Sequence, residues 1–397
     1  MRKMNVPLSD LTRQYAALRD EIETAVNNVL ASGKFIMGDQ VRKFEKDFAD
    51  YIGTGYAVGV ANGTDALVIA LKAVGIKPGD EVITTPFTFF ATAESISLIG
   101  ATPVFVDVRL DTFNLDETKI EEAITDKTKA IMPVHIFGQS CEMDAINRIA
   151  KKYNLRVIED ACQAAGAEYK NKRCGSLSDV ACFSFFPTKN LSCAGDGGII
   201  TTDDKDVATI CDALRRHGSG ETGLRAHQLL NGSNMTASNP QDNNDNTVYN
   251  PAKYYNYLIG HNSRLDEMQA SILNVKLPRL DGYIAKRRAA AFYYDKTLKN
   301  LHYIIPYEDP AGKHSYHLYV LQSDERDRTV NKLADHGVAT GVYYPVPMHR
   351  QMVYVNGGFK GGYLPNAEYL AKRAFAIPMF PEITEEEMAA VVEGLIQ

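Results

Sequence analysis

Apolar residues recur at helical spacing near the start of the chain, and the pattern then changes. Residues 11–31 carry apolar side chains at every third or fourth position, and SGKF ends the run. A second helix is predicted in VRKFEKDFADYIG. From Tyr56 onward, short runs rich in Val, Ile and Phe alternate with helices, as in YAVGVANGTDALVIALKAVG. This alternation predicts βαβ units and a mostly parallel sheet, with ligand sites at the carboxyl ends of its strands.

The last third of the chain mixes strands and helices without that regular alternation. We predict strands in LHYIIPY, SYHLYVLQ and VATGVYYPVP, and helices in RTVNKLADHG and EEEMAAVVEGLI. The predicted fold class is therefore α/β, with a large domain at residues 1–265 and a smaller C-terminal α+β domain at residues 266–397. The boundary is expected within a long helical region, near residues 265–285.

Residues 219–257 differ in composition from the rest of the chain. Between residues 231 and 246 there are almost no aliphatic side chains, and Asn, Asp, Ser and Pro predominate. Such a stretch cannot contribute to a hydrophobic core. Its simpler interpretation is a surface loop, and the alternative is a lid or substrate-contacting arm that becomes ordered on binding.

Composition limits the class of protein. The chain has 397 residues, of which 45% are hydrophobic and 23% charged, with a formal net charge of −6. These values are typical of one large or two medium globular domains. The basic residues are scattered, so we expect no nucleic-acid-binding face. The apolar runs are too short for a membrane span and the N-terminus lacks a signal-peptide pattern, so we expect a cytoplasmic protein without membrane contact.

The spacing of the cysteines and glycines argues against several common types of binding site. No Cys-x-x-Cys pair is present, and we expect the cysteines to be reduced core residues rather than disulfide or zinc ligands. No P-loop and no G-x-G-x-x-G between a strand and a helix is found. The cysteines are Cys141, Cys162, Cys174, Cys182, Cys193 and Cys211.

A lysine lies in a polar turn between two apolar runs, in VACFSFFPTKNLSCAGDGGIITT. The runs are predicted to be strands, which places Lys189 on the loop between them. Neighbouring Phe and Pro side chains desolvate the amine, which lowers the pKa of a lysine and favours its nucleophilic, neutral form. Taken alone, Lys189 also fits an exposed residue of a hairpin, because most lysines are exposed.

Other candidate residues follow the ends of predicted strands. Asp160 ends the strand in LRVIED, and Phe89 lies in the aromatic loop PFTFF. Gly63 and Thr64 open a helix whose free N–H groups suit a phosphate. Individually these features also fit a plain helix cap and a core phenylalanine. Together with Lys189 they match pyridoxal phosphate, which needs a lysine for its aldehyde, an acid for its pyridine nitrogen, a phosphate cradle and a ring partner.

The chain resembles the DegT/DnrJ/EryC1/StrS family of sugar aminotransferases. This resemblance implies the fold-type-I pyridoxal phosphate fold, with a homodimer whose active sites are shared between subunits. It extends through nearly the whole chain, in the blocks GKFIMGDQVRKFE, ANGTDALVIAL, PFTFFATAE, ATPVFVDV, VHIFGQ, VIEDACQAAGA, SFFPTKN, AGDGGIITT, RRHG, GHNSRLDEMQA and YYPVPMHRQ.

The resemblance implies roles around the ring of the cofactor. Lys189 is the Schiff-base lysine, and Asp160 is the partner of the pyridine nitrogen. Phe89 stacks on the ring, and Gln163 contacts the phenolic oxygen.

It also implies a phosphate site that two subunits build together. Gly63, Thr64 and Ser184 bind the phosphate from one subunit. Asn262, in GHNSRLD, reaches the same phosphate from the neighbouring subunit.

Several residues remain as candidates for substrate contacts. Histidines 135, 217, 317 and 349 could supply hydrogen bonds or proton transfer, and each also fits a packed histidine with one satisfied nitrogen. His349 and Tyr344 lie in the same block, YYPVPMHRQ. We take His317, Tyr344 and His349 as the candidate substrate residues, and no metal site is predicted.

The function implied is transfer of an amino group from L-glutamate to a keto sugar linked to a nucleotide, in the synthesis of lipopolysaccharide, other surface glycans or antibiotics. GHNSRLDEMQ favours amination at C3 or of an acidic sugar over amination at C4. The alternative acceptors are a free sugar acid such as an eight-carbon octulosonate, or an inosose. The alternative chemistries are a sugar dehydratase, which lacks the Schiff-base lysine, and a pyridoxal phosphate sensor without turnover.

Overall fold

A seven-stranded sheet forms the centre of the larger part of the chain. The computed structural model describes residues 5–232, 254–357 and 363–396. The strands of all the sheets in these ranges are β1 (Tyr56–Val60), β2 (Glu81–Thr84), β3 (Thr102–Phe105), β4 (Thr128–Met132), β5 (Arg156–Asp160), β6 (Glu168–Tyr169), β7 (Lys172–Arg173), β8 (Val180–Ser184), β9 (Gly198–Thr202), β10 (Gly312–Lys313), β11 (Tyr319–Gln322) and β12 (Ala374–Ile377).

Helices pack against this sheet and also form much of the C-terminal part of the chain. They are α1 (Leu11–Ser32), α2 (Asp39–Ile52), α3 (Gly63–Ala73), α4 (Ala91–Leu98), α5 (Met143–Tyr153), α6 (Lys205–Leu214), α7 (Gly220–Asn231), α8 (Glu267–Lys276), α9 (Leu280–Leu298), α10 (Arg326–Asp335), α11 (Met352–Asn356), α12 (Pro365–Arg373) and α13 (Glu385–Ile396). None of the helices in the described ranges is both long enough and apolar enough to cross a bilayer.

The order of strands in the large sheet is β1-β9-β8-β5-β4-β2-β3. The pairs from β8 to β3 are parallel, and β9 is antiparallel to both of its neighbours. The mostly parallel sheet is therefore as predicted. Because β9 reverses direction, β1, β8, β5, β4 and β2 all end at one edge of the sheet, and the loops that follow them meet there.

The helix that follows β1 starts at that edge. α3 begins at Gly63, and the Asn62 side chain caps it by accepting a hydrogen bond from the Asp65 N–H at 2.8 Å. The cap is therefore Asn62, one residue before the first residue of the helix. Nearly every residue of α3 is buried, which agrees with its apolar sequence and fixes the helix rigidly against the sheet.

The C-terminal third differs from the strand prediction. LHYIIPY contributes only a bridge from Ile304 to Gln322, and VATGVYYPVP only two bridges, from Val338 to Val6 and from Gly341 to Ala376. Proline lacks the N–H that a strand ladder needs, and both segments contain it. SYHLYVLQ forms β11, which pairs with β12, a four-residue strand that the sequence analysis missed. The helices predicted in RTVNKLADHG and EEEMAAVVEGLI form α10 and α13.

A separate hydrophobic cluster lies in the C-terminal part of the chain. It includes side chains of α9, β11, β12 and α13, and also Val6, whose backbone bonds to Gly337 and Ala339. The long helical region is interrupted by a short 3-10 turn at Leu277–Arg279, which contains Pro278. The domain boundary near residues 265–285 stays a prediction.

The segment at residues 219–257 contains a helix at its start. α7 packs on α6 and buries Ala226, so this portion does contribute to the core. The predicted surface loop or lid at residues 231–246 falls almost entirely outside the described residues.

The six cysteines are free thiols, and all except Cys162 are buried. Burial raises the pKa of every one of these thiols, to about 11 for Cys193 and about 12 for Cys211. The expectation of reduced core cysteines agrees with this placement.

A buried carboxylate fixes the end of β5. Glu159 is fully buried, and its oxygens accept hydrogen bonds from His135 Nε2 at 2.9 Å and from the N–H groups of Gly175 and Leu177 at 2.7 and 2.8 Å. The Ser178 hydroxyl donates a further bond at 2.9 Å. Four donors compensate for the loss of water around the charge.

We expect Glu159→Gln to lower the free energy of unfolding by about 2–4 kcal/mol, because an amide nitrogen would face donors that need an acceptor. The measurement is the midpoint of urea unfolding at fixed protein concentration. Glu122→Gln, at an exposed position, is the matched control and should shift the free energy by less than about 0.5 kcal/mol. Equal midpoints for both variants would contradict the role of Glu159.

Candidate active site

A cavity of about 1020 Å³ opens at the carboxyl edge of the parallel strands. Its walls come from the loops after β1, β2, β5 and β8, from the N-terminal residues Leu8 and Ser9, and from the segment before α11. The cavity brings together most of the residues singled out from the sequence, namely Gly63, Thr64, Phe89, Asp160, Gln163, Ser184, Lys189, His317 and Tyr344.

Lys189 lies on the loop between β8 and β9, as predicted. Its backbone N–H donates to Phe186 O at 2.8 Å, so the loop turns tightly there. The side chain is half-buried and borders the cavity. Desolvation lowers the pKa of the Lys189 amine, and the nearby Cys162 and Asp160 offset this in part. The lowered pKa favours the neutral amine, which is the form that attacks an aldehyde.

Asp160 ends β5 and is 5% exposed. Its Oδ2 accepts a hydrogen bond from the Thr92 hydroxyl at 2.7 Å, and its Oδ1 accepts one from the Cys162 N–H at 3.2 Å. Thr92 in turn contacts the Thr88 hydroxyl at 3.0 Å. The sequence analysis did not single out these threonines, although their spacing of four in PFTFFATAE is typical of one helical face.

The start of α3 lies against the ends of β8 and β9. A Cβ on Gly63 would lie 2.7 Å from Ser184 Cβ, and a Cβ on Gly198 would lie 2.5 Å from the carbonyl carbon of Asn62. Only glycine allows this approach at both positions. The first N–H groups of the helix have no intrahelical partner and carry the positive end of its dipole, and with Thr64 and Ser184 they form a concave site suited to a phosphate.

Aromatic and amide side chains form the opposite wall. Phe89 is 59% exposed, and its ring centre lies 6.5 Å from that of Tyr344. Gln163 Oε1 accepts from the Phe137 N–H at 2.8 Å, and its Nε2 donates to the Tyr344 hydroxyl at 2.9 Å. Burial raises the pKa of Tyr344, so its hydroxyl stays protonated. The exposed face of Phe89 is therefore available to a ring ligand, since it has no protein cover.

His317 also borders the cavity. It is 7% exposed, and its Nδ1 has no hydrogen-bond partner in the described part of the chain. Burial lowers the pKa of His317 well below its usual range, and the charges of Lys189 and Arg287 lower it further. The imidazole is therefore neutral, with a buried nitrogen that remains unsatisfied.

Four of the sequence candidates lie away from the cavity of the single chain. His349 Nε2 bonds to Glu368 Oε1 at 3.1 Å, and His135 pairs with Glu159. His217 and Asn262 are exposed, and Asn262 bonds to the Arg264 side chain. The predicted contact of Asn262 with the phosphate of a neighbouring subunit stays a prediction.

The residues around the cavity fit pyridoxal phosphate. An amine of lowered pKa and a buried carboxylate border the same space, and a helix terminus with room for an anion adjoins them. An uncovered aromatic ring adds a stacking surface. These groups match what the aldehyde, the ring nitrogen, the phosphate and the ring face of the cofactor require.

Comparison with known proteins shows the family of the chain. The model of the DegT/DnrJ/EryC1/StrS aminotransferase family matches residues 16–396. The chain belongs to this family. It is therefore an aminotransferase with pyridoxal phosphate as its cofactor, and the predicted family, fold class, enzyme class and cofactor are confirmed.

Similar sequences include two transaminases and one regulatory protein. A "pleiotropic regulatory protein" of Geobacillus stearothermophilus is 45% identical, over 99% of this chain and 98% of the relative. A UDP-N-acetyl-3-dehydro-alpha-D-glucosamine 3-aminotransferase of Acidithiobacillus ferrooxidans is 42% identical, over 97% of this chain and 96% of the relative. A dTDP-3-amino-3,6-dideoxy-alpha-D-galactopyranose transaminase of Aneurinibacillus thermoaerophilus is 42% identical, over 98% of both.

Solved structures share the fold at high coverage. S. venezuelae DesV, in complex with a ketimine intermediate, is 36% identical with a TM-score of 0.87, over 98% of this chain and 97% of that one. NtdA from Bacillus subtilis, with bound cofactor PMP, is 33% identical with a TM-score of 0.81, over 95% of this chain and 80% of that one.

We expect Gly63→Ala to weaken binding of pyridoxal phosphate by about 10- to 100-fold, because the added methyl group would displace Ser184 and narrow the phosphate site. Equilibrium titration of the apoprotein, followed by absorbance, measures the dissociation constant. Gly282→Ala is the matched control, since a Cβ there meets nothing within 4 Å. Unchanged affinity in Gly63→Ala would exclude this phosphate site.

The lowered pKa of Lys189 predicts a pH dependence of cofactor capture. The neutral fraction of the amine rises with pH, so a lowered pKa moves the midpoint of the capture rate to lower pH. We expect the apoprotein to reach half its maximal rate at a lower pH than Nα-acetyl-lysine does. Stopped-flow absorbance measures both, and Lys189→Ala gives the background. A midpoint at or above that of the model amine would show that Lys189 is not desolvated.

Proposed function

We propose that the enzyme transfers an amino group from L-glutamate to a keto sugar linked to a nucleotide. The observation that carries the proposal is the similarity, over 97–98% of this chain, to transaminases named for UDP- and dTDP-linked sugars. Amino-sugar synthesis for lipopolysaccharide or another surface polysaccharide is the pathway that we propose, with a cytoplasmic location.

The size of the cavity is compatible with a large acceptor. Its volume of about 1020 Å³ lies at the upper end of the range for small-molecule sites, which is about 300–1,000 Å³. Space therefore extends beyond the residues assigned to the cofactor, towards Ser9, Tyr343 and Gln351. These side chains, with Tyr344 and His317, are the proposed contacts of the sugar.

The side chains of the cavity have separate tasks in this reaction. Lys189 would hold the aldehyde of the cofactor; once the amine of the substrate has displaced it, its Nζ would accept the proton from the substrate carbon and return it on the cofactor side. Asp160 binds the pyridine nitrogen, while Gly63, Thr64 and Ser184 bind the phosphate. When bound, the cofactor supplies an electron sink for the bond that breaks at the substrate carbon.

We also propose a homodimer, in which Asn262 of each subunit completes the phosphate site of the other. Asn262 is exposed and outside the cavity of its own chain, which is compatible with a contact across an interface.

Other acceptors and chemistries remain as alternatives. A free octulosonate or an inosose would need the same amine, carboxylate and phosphate site. A sugar dehydratase is disfavoured by Lys189, because that reaction in the family lacks the lysine. One observation favours a sensor without turnover: the similarity to the regulatory protein named above extends over nearly the whole chain.

The test is multiple-turnover amination of nucleotide-linked keto sugars with L-glutamate as donor. We expect parallel lines in double-reciprocal plots, because donor and acceptor react in separate half-reactions. Lys189→Ala should lower kcat by at least about 1,000-fold, because the proton acceptor is lost. Lys77→Ala, at an exposed position, should leave kcat within about twofold.

The outcomes separate the alternatives. Turnover by Lys189→Ala at the rate of the unmodified enzyme would contradict the proposal. Conversion by L-glutamate of the bound cofactor, without turnover of any nucleotide sugar, would favour the free-sugar acceptors. Cofactor binding without a response to any amino donor would favour the sensor.

A further inference from the structure

Two buried threonines flank Phe89 and connect it to Asp160. Thr88 and Thr92 are each 1% exposed; Thr88 lies in the loop that precedes α4, and Thr92 lies in the first turn of that helix. The Thr92 hydroxyl lies 2.7 Å from Asp160 Oδ2, and the two threonine hydroxyls lie 3.0 Å apart. The sequence analysis assigned no role to either residue.

The hydrogen bonds between these groups have one direction. An ionised carboxylate only accepts, so the Thr92 hydroxyl donates to Asp160. The oxygen of Thr92 is then free to accept, and the Thr88 hydroxyl donates to it. The result is a relay from Thr88 through Thr92 to Asp160 Oδ2. The Cys162 N–H donates to the other oxygen at 3.2 Å, so both oxygens of Asp160 have a donor before any ligand binds.

The relay opposes the effect of burial on Asp160. A carboxylate that is 5% exposed loses most of its hydration, which disfavours its charge. Donors to both oxygens favour the ionised form. Removing the Thr92 hydroxyl would leave Asp160 Oδ2 without its donor, and the carboxylate would lose the contact that fixes its orientation.

We propose that Thr92, supported by Thr88, is a positioning residue that holds the Asp160 carboxylate in the orientation needed to face the pyridine nitrogen of the cofactor. This inference rests on the role of Asp160 given under the proposed function. The residues act through the carboxylate and do not themselves contact the ring nitrogen.

The same turn orients Phe89. The Thr92 N–H donates to Phe89 O at 3.2 Å, and Phe89 lies between the two threonines in sequence. The relay therefore anchors the loop that carries the aromatic ring to the strand that carries the carboxylate. One short segment therefore helps to position both the aromatic ring of Phe89 and the carboxylate of Asp160.

The experiment compares two ligands that differ only at the ring nitrogen. Dissociation constants of the apoprotein are measured by equilibrium titration for pyridoxal phosphate and for its 1-deaza analogue, in which a C–H replaces the nitrogen. The ratio of the two constants isolates the interaction at the nitrogen. We expect Thr92→Val, which keeps the shape but loses the hydroxyl, to reduce this preference by about tenfold, mainly through weaker binding of pyridoxal phosphate.

Two controls separate positioning from general stability. Thr92→Ser keeps the hydroxyl and should restore the preference to within about twofold. Thr84→Val removes another fully buried threonine hydroxyl, which bonds to Met132 O at 2.8 Å and not to Asp160, and should leave the preference unchanged. If Thr92→Val does not fold, Thr88→Val removes the first donor of the relay and should reduce the preference by about threefold.

The experiment distinguishes failure of the relay from failure of the role assigned to Asp160. An equal loss of affinity for both ligands in Thr92→Val, or an unchanged ratio, would show a purely structural threonine and overturn the relay. Asp160→Asn should abolish the preference for pyridoxal phosphate in any background. A preference that survives Asp160→Asn would overturn the assignment of Asp160 itself and, with it, the relay. Because no sugar is present, these results do not depend on the acceptor proposed above.

Discussion

The close approach of α3 to the ends of β8 and β9 is the constraint on which the site depends. Two glycines, Gly63 and Gly198, make it possible, since a Cβ at either position would overlap its neighbour. The helix start that suits a phosphate is thereby fixed to the strands that lead into the Lys189 loop. The distance between this helix start and the backbone of the Lys189 loop is set by backbone packing, which varies much less than the position of a flexible side chain.

Around this fixed pair, the protein controls charge by controlling hydration. Lys189 and His317 border the same cavity, and desolvation disfavours the charged form of both. Asp160 is also buried but has donors on both oxygens, as Glu159 does behind it. The site thus combines two nitrogen bases of lowered pKa with one carboxylate that has donors on both oxygens. A reaction that moves protons repeatedly needs bases that are uncharged and a negative charge that stays in place.

The sequence was most informative for functional residues that lie in the turns at the ends of strands. Lys189, Gly63 and Asp160 each follow a strand whose pattern is readable within a few residues, so their convergence could be inferred from the topology of a parallel sheet. Thr92 and Glu159 were missed because their roles arise from contacts between segments far apart in the chain. His349 lies beside Met348, which borders the cavity, but its own nitrogen turns to Glu368. Side-chain direction of this kind is set by tertiary packing, which no local pattern encodes. The strand predictions in LHYIIPY and VATGVYYPVP were wrong for a related reason, because proline interrupts segments that are otherwise rich in strand-forming residues.

The protonated state of the cysteines has a practical consequence. Alkylating probes react with thiolates, and a raised pKa keeps the native thiols in the unreactive form near neutral pH. Burial of all but Cys162 adds a steric barrier. A single cysteine introduced on the surface would therefore be labelled selectively with a maleimide fluorophore while the native cysteines are retained. The molecule is suited to single-site fluorescence without the cysteine-free background that such work usually requires.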